Sequence, residues 1–459
     1  MQLFAPDDPR PLHFMGVGGA GMSSLALLAR RRGVTVTGCD IDPAGAMDVA
    51  NAGAEIAIGH DAAHVKGARA VVHTAAVALD HPELQAARDA GIPVVRRADA
   101  LHAVVESGTV VAIAGTHGKT TTTVMTTEAL AHAGCHPTGL AGGRVASWGG
   151  NARLDGNHLF VVEADEYDRA FLALRPTVAA ITNVEADHLE CYGSVADLEA
   201  AFVEFAGRAR HVVVGAGDRG ALRVAGQLAG VVWRVGMEDD ADVRVLRVDR
   251  SPSGTTGVVR FGSGREVPLR LSVPGLHNVR NAAVALAVVE ALGHDSALAA
   301  RGLERFVGVG RRFEIVGEAR GVTVVDDYAH HPTEVTVTIA AARQRFPAAR
   351  VVAVFQPHLY SRTKAHGDAF GIALSLADVV VVTEVYGARE RPMAGVTGRK
   401  VAKAAERAGA ETHWLPHRDA LADRLLELAR DGDVVLTMGA GDITDVGREL
   451  YRRLRGRAA

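Results

Sequence analysis

The stretch VVAIAGTHGKTTTTVM, residues 110–125, carries the reading of the fold. A β-branched apolar run, a short loop containing two glycines and a lysine, and a threonine-rich segment follow one another, the order of strand, phosphate loop and helix. The full pattern is G-x-x-x-x-G-K-[ST]; here the position five before Gly118 is Ile113, and Gly115 makes the tight turn instead. The loop Gly115, Thr116, His117, Gly118, Lys119 is thus a shortened one. Backbone N–H groups at the start of the following helix have no partners within it and carry the positive end of its dipole, which suits a polyphosphate. Lys119 is placed for the β- and γ-phosphates and the Thr120 hydroxyl for Mg²⁺, a reading that also accounts for Thr121 and the threonines after it where better helix formers are available. The plainer reading is a glycine-rich turn with a solvated lysine.

A magnesium site needs a carboxylate, and VVEADEYD (161–168) supplies one at the end of the next strand. Carboxylates at the C-terminal ends of strands collect beside the phosphate loop in open α/β sheets, which makes Glu163 the candidate. Asp165, Glu166 and Asp168 read as ordinary loop acids. ITNVEADHLE (181–190) brings Asn183, Asp187 and His188 to the same edge, with His188 a metal or substrate contact.

A second glycine loop lies in HFMGVGGAGMSSLALLAR (13–30), followed by Asp40 at the end of the next strand. This is the dinucleotide-type arrangement, and taken alone it suggests NAD. Gly16, Gly18, Gly19 and Gly21 fit the diphosphate of another nucleotide equally well.

The rest of the chain frames these sites. Of 459 residues, 48% are hydrophobic and 22% charged, enough for several cores. The alternation of short apolar runs with amphipathic stretches predicts an α/β protein of three units, 1–106, 107–309 and 310–459. Residues 241–270 read as a β-hairpin insertion. A net charge of −3 without basic runs argues against a nucleic-acid partner. Three unspaced cysteines, no signal segment and no long apolar run argue for a cytoplasmic chain that does not enter membranes.

In order, GVGGAGMSSLA, AGTHGKTTTT, VVEADEYDRAFL, ITNVEADH, PGLHNVRNAAVAL, GVGRRFE, DDYAHHPTE, FQPHLYSRT and TMGAGDI resemble the motifs of the Mur ligases over nearly the whole chain, from about residue 11 to about 447. GTHGKT and HNxxN are general to that superfamily, whereas GVGGAGM, GRRFE and DDYAHHPTE resemble the alanine-adding branch. The resemblance implies a Rossmann-like N-terminal domain, a central P-loop ATPase-like domain and a Rossmann-like C-terminal domain. It implies ATP and Mg²⁺, with Mn²⁺ as a substitute, and the small-molecule substrates UDP-N-acetylmuramate and L-alanine, in a monomer or homodimer. The UDP sugar would then occupy Gly16, Gly18, Gly19, Gly21, Met22, Asp40 and His60. ATP would occupy residues 115–121, with His277, Asn278 and Asn281 near its base. Lys119, His188, Arg312 and Asp327 would be catalytic, Thr120, Glu163 and His188 metal ligands, and Tyr328, His330, His331 and Arg362 alanine contacts.

Two departures matter. Several siblings carry a metal-bridging carbamoylated lysine, but no lysine occurs between Lys119 and Lys364, and Phe202 falls near the expected place. Leu359 stands where some members have arginine, leaving Arg362 alone for the substrate carboxylate. Without the resemblance Arg311 and Arg312 read as a solvated pair, and Asp326 and Asp327 as a helix cap. Other functions stay open: a ligase joining an intact tripeptide to the same sugar nucleotide, an NAD-dependent oxidoreductase, or a nucleotide-binding scaffold.

Overall fold

Each of three stretches in which apolar runs alternate with helices forms its own sheet in the computed structural model, which describes residues 3–388 and 390–456. In the first sheet, Leu12–Met15 lies at the centre between Val36–Asp40 and Ala70–His73, with Glu55–Ile58 and Val94–Arg96 at the edges. Every pairing is parallel. The central strand is buried throughout, as a parallel strand covered on both faces must be.

The second sheet is built around Thr109–Ala114, the strand of the opening stretch. Its neighbours are Val178–Ile181 and Leu159–Glu163, both parallel to it. Register sets the site: Ile113 pairs with Glu163 and Ala114 with Ile181, so the acidic strand ends level with the phosphate loop. The sheet continues through Thr138–Val145 and Gly150–Leu154 on one side, and through His211–Gly215 and Val232–Gly236 on the other. Where a hairpin was expected, three strands run on: Val243–Ser251, Gly254–Arg260 and Glu266–Leu271. The third strand alternates exposed and buried positions, with Glu266 and Arg270 on the open side, and extends the expected hairpin by one strand.

The third sheet has the order Glu314–Ala319, Val322–Asp327, Asp433–Met438, Arg350–Phe355, Val379–Val382, Glu411–Trp414, antiparallel only at the first pairing.

The chain divides into two compact units, one holding residues up to Arg247 with 257–270 and 280–306, the other 248–256, 271–279 and the residues from Val307 onward. The first sheet and most of the second thus share a unit. Helix Ala20–Arg31 lies against the edge hairpin Thr138–Val145 and Gly150–Leu154, where Asn151 Nδ2 donates to Ser23 Oγ at 2.9 Å. Arg144 pairs with Asp48 at 2.8 Å. No described helix is long and apolar enough to cross a membrane.

Candidate active site

The phosphate loop owes its shape to two glycines and a set of clamps. Gly115 has φ +135°, and a Cβ there would lie 2.1 Å from Thr182 Oγ1, so no other residue fits. Gly118 has φ +79° and caps helix Lys119–His132. Asn183 holds the loop from below: its Oδ1 accepts the His117 N–H at 2.8 Å and its Nδ2 donates to the His117 carbonyl at 3.0 Å. Thr182 Oγ1 donates to that same carbonyl at 2.6 Å, and the Thr116 hydroxyl receives the Glu185 N–H at 2.8 Å. Asn281 comes within 2.9 Å of the place a Gly118 Cβ would take. These bonds fix the loop before any ligand arrives.

Lys119 lies across the loop rather than in solvent. Its Nζ donates to the Gly115 carbonyl at 2.6 Å and sits 2.8 Å from Glu166. Burial pulls the ammonium down, but the carboxylates of Glu166, Asp165 and Glu163 outweigh it and the net direction is upward, so Lys119 stays charged. Glu166 is therefore not the ordinary loop acid its acidic run suggests. It is buried to 2% exposure, and its backbone carbonyl accepts from Tyr192 Oη at 2.5 Å.

Thr120 Oγ1 donates to Glu163 Oε1 at 3.1 Å, and Glu163 Oε2 accepts the Gly142 N–H at 2.6 Å. A Cβ on Gly142 would strike that carboxylate at 2.7 Å, so the bare glycine is what admits it. Two hard oxygen donors beside a phosphate loop suit Mg²⁺ or Mn²⁺. The later threonines do something else: Thr122, Thr123, Thr126 and Thr127 are fully buried, so the cation reading covers Thr120 alone and the rest are packing residues.

His188 adopts a left-handed backbone, φ 53°, just before the turn Leu189–Tyr192. Its ring stands among acids, with Nε2 3.8 Å from Glu166 and 3.7 Å from Asp187, and it meets Tyr167 edge-on at 5.2 Å. Asp168 and Arg169 are left-handed as well, at φ 53° and 54°. Three non-glycine residues in that region along one sheet edge mark stored backbone strain, which concentrates at functional sites. Behind them Phe171 stacks on Phe205 at 4.9 Å and meets Phe202 edge-on at 5.0 Å. The position where siblings place lysine is here part of an aromatic core.

At the first glycine loop, Gly18 donates its N–H to Asp40 Oδ2 at 2.8 Å, and a Cβ there would lie 2.6 Å from the Asp42 carbonyl. Gly16 has φ +78°. Arg97, which sequence reasoning passed over, stands where a Gly21 Cβ would be 2.7 Å from its Nη1, and reaches Asp165 at 3.4 Å. Met22 belongs to the core, 2% exposed, so only its backbone is near the loop. His60 does not face the loop's N–H groups; its Nδ1 lies 3.1 Å from Glu83.

In the other unit, Arg311 and Arg312 both lie over the Tyr328 ring, at 4.7 and 5.3 Å from its centroid. Neither belongs to a solvated pair: Arg311 reaches Asp326 at 3.3 Å and Arg312 reaches Glu334 at 3.2 Å. Asp327 ends its strand instead of capping a helix, a role taken by His331 ahead of Pro332–Arg345. Its carboxylate accepts the Phe313 and Ala329 N–H groups at 2.7 and 2.8 Å. Burial nonetheless pushes it up to about 6, against the pull of Arg312. His330 and Arg362 gather around His358, which was not singled out from the sequence: His330 is 6.1 Å from its ring and Arg362 Nη1 3.3 Å from its Nδ1, while Tyr328 meets the His330 ring at 5.2 Å. His331 turns the other way, toward His366 at 5.2 Å. Leu359 is left-handed, φ 66°, at the head of helix Tyr360–Leu374. His277 packs beneath Gly275, and Asn278 Nδ2 donates to the Pro274 carbonyl at 2.7 Å.

Comparison with known proteins matches three family models in succession: the Mur ligase family catalytic domain over residues 11–108, the Mur ligase middle domain over 113–289, and the Mur ligase glutamate ligase domain over 311–441. A UDP-N-acetylmuramate--L-alanine ligase of Kineococcus radiotolerans is 45% identical over 97% of this chain and 96% of its own. A solved UDP-N-acetylmuramate-alanine ligase from Thermotoga maritima superimposes with a TM-score of 0.83 at 31% identity, covering 98% of this chain and all of that one. A solved murein peptide ligase from Psychrobacter arcticus gives 0.74 at 27%, covering 98% of this chain and all of its own. On this full-length agreement in sequence and fold, the chain belongs to the Mur ligase family.

Proposed function

We propose that this protein is an ATP-dependent ligase that joins the lactyl carboxylate of UDP-N-acetylmuramate to the amine of L-alanine in peptidoglycan precursor synthesis. The observation that carries the reading is the single sheet edge where Lys119, Thr120 and Glu163 converge on a clamped phosphate loop. That geometry, with 45% identity to a ligase of this name, leaves the NAD and scaffold readings without support.

A carboxylate is a poor electrophile at neutral pH, so it must be activated first. The lactyl carboxylate oxygen attacks the γ-phosphorus of ATP, ADP leaves, and an acyl phosphate forms. The alanine amine then attacks the acyl carbon, and the tetrahedral intermediate expels phosphate as the amine sheds its proton. The first step brings two anions together, and Lys119 offsets their repulsion in a site whose loop needs no rearrangement. Thr120 and Glu163 would hold a magnesium ion, which when bound neutralises phosphate charge. His188 stands near enough to that edge to orient the carboxylate. Gly16, Gly18, Gly19 and Gly21 with Asp40 seat the sugar nucleotide, and Arg97 adds a cation for its diphosphate. In the C-terminal part, Arg312 and Asp327 serve the nucleotide, and Tyr328, His330 and Arg362 the amino acid, the guanidinium fork gripping its carboxylate. On this reading residues 1–106, 107–309 and 310–459 bring the sugar nucleotide, ATP and amino acid respectively.

Phosphate release from ATP tests the assignment, with sugar nucleotide and amino acid supplied separately and together. Release that needs both UDP-N-acetylmuramate and L-alanine is expected. Release with a stem tripeptide but not with alanine would make the protein a recycling ligase, the function named for the Psychrobacter relative.

A further inference from the structure

The N-terminal domain holds a cluster of soft and borderline donors that the ligase reaction does not use. Cys39 Sγ lies 3.4 Å from His13 Nε2, 3.4 Å from His60 Nδ1, and 3.4 Å from both carboxylate oxygens of Glu83. His60 Nδ1 is 3.1 Å from Glu83 Oε2. One donor atom from each of His13, Cys39 and Glu83 falls within 4.8 Å of the others, and none of these three residues is more than 1% exposed.

We propose that His13, Cys39 and Glu83 form a three-donor site for a thiophilic divalent cation of the zinc class, with His60 on its open side. Zinc bonds of ~2.0–2.3 Å in a tetrahedron set neighbouring donors roughly 3.3–3.6 Å apart, the spacing seen around Cys39. Two of the donors, His13 and Glu83, are also aimed by neighbours, as ligands of structural metals are. His13 Nδ1 is engaged by Thr37 Oγ1 at 2.9 Å, which turns Nε2 toward the sulfur. Glu83 Oε1 is held by the Asp61 N–H at 2.9 Å and by His64 Nδ1 at 2.8 Å, leaving Oε2 toward His60. Charge closes as well: a dication binding here displaces the thiol proton to solvent, and one thiolate with one carboxylate neutralises it. His60 and His64, with side chains 20% and 23% exposed, give the path in. The site reaches the sugar-nucleotide loop directly, since the Cys39 carbonyl accepts the N–H groups of Gly16 and Val17 at 2.8 and 3.2 Å.

Cobalt(II) is the probe, because a thiolate ligand announces itself as near-ultraviolet charge transfer and a tetrahedral field as intense visible bands. Full-length protein stripped with chelator would be titrated anaerobically with Co²⁺ in saturating Mg²⁺, which keeps the phosphate-loop site occupied. The expected result is one Co²⁺ per chain with both signatures, displaced by Zn²⁺. Cys39→Ser should lose the charge transfer while its circular dichroism stays unchanged, and His13→Ala should weaken Zn²⁺ binding by more than the ~10–100-fold typical of losing a supporting partner. Absence of charge transfer in the wild-type protein overturns the proposal whatever the variants do. So does charge transfer that survives in Cys39→Ser, which would place the metal at Cys135 or Cys191.

Discussion

Two glycine loops in this chain begin alike and end in different chemistry. Residues 16–21 and 115–119 both follow a buried parallel strand, both turn on left-handed glycines, and both open a helix. Around the second, side chains bring charge to bear: Lys119 is paired with Glu166, and Glu163 accepts the Thr120 hydroxyl. Around the first, the loop's own N–H meets Asp40, and a guanidinium at its side, that of Arg97, comes from another helix. Glycines make room for phosphate; the charged groups beside them decide whether it is merely held or made to react.

The sharpest way to break this contrast is Lys119→Ala. It should lower ligation by about 10³-fold or more, the scale of losing a preorganised charge on a transferring phosphoryl group. Calorimetric titration should still find sugar-nucleotide affinity within about threefold of wild type; loss of both would mean that the two loops do not divide the work as proposed. Glu163→Gln should cost about 10²-fold in ligation rate and raise the Mg²⁺ concentration needed for half-maximal activity, since one of two hard ligands becomes neutral. Gly18→Ala tests the other loop. Its Cβ would stand 2.6 Å from the Asp42 carbonyl, a backbone atom that cannot swing aside. The expected outcome is sugar-nucleotide affinity about 10-fold weaker, from strain of one to two kcal/mol, with ATP affinity unchanged by the same titration.

The smallest effect concerns stability. Asp327 has a folded pKa of about 6, above its usual 3.8, because burial disfavours its charge. Its contribution to stability is therefore fully present below the unfolded value and lost as pH rises through about 6. Asp327→Asn should remove a slope of up to about 1.4 kcal/mol per pH unit, read from urea denaturation between about pH 4 and about pH 6, where the unfolded carboxyl has lost its proton and the folded one still holds it. An unchanged slope would show that the carboxylate is already ionised across that window.

Much of this was legible before any coordinates. Strand Thr109–Ala114 and the helix from Lys119 are strong because a fully buried parallel strand must be a continuous apolar run, and a phosphate loop must carry its glycines and lysine in fixed order. The strands that escaped notice lie at or near sheet edges. Glu55–Ile58 and Glu411–Trp414 are half exposed, and Thr138–Val145 is interrupted by three glycines, so none shows the buried run or clean alternation that betrays a strand. The same logic divides the site. Lys119, Thr120 and Glu163 are readable because the chemistry of phosphate and magnesium dictates residue types at set positions. Glu166 is not, because an acid in an acidic run is normally solvated, and the side chain that bonds its backbone carbonyl, Tyr192, is twenty-six residues away. Arg97 and His358 are likewise defined by partners distant in sequence, Asp165 for the one and His330 for the other.

The pairing of Lys119 with Glu166 has a consequence for what the loop refuses. An open anion hole lined with N–H groups and a bare ammonium would fill with whatever small anion is most abundant, inorganic phosphate or chloride among them. Here the ammonium already has a carboxylate, tethered to the same fold at an effective concentration of about millimolar or more, and dry enough that separating the two is costly. On the proposed function, a nucleotide triphosphate gripping the whole clamped loop repays that separation and a monoanion does not. Glu166 is in this sense a resident competitor, setting a threshold that only the polyanion passes.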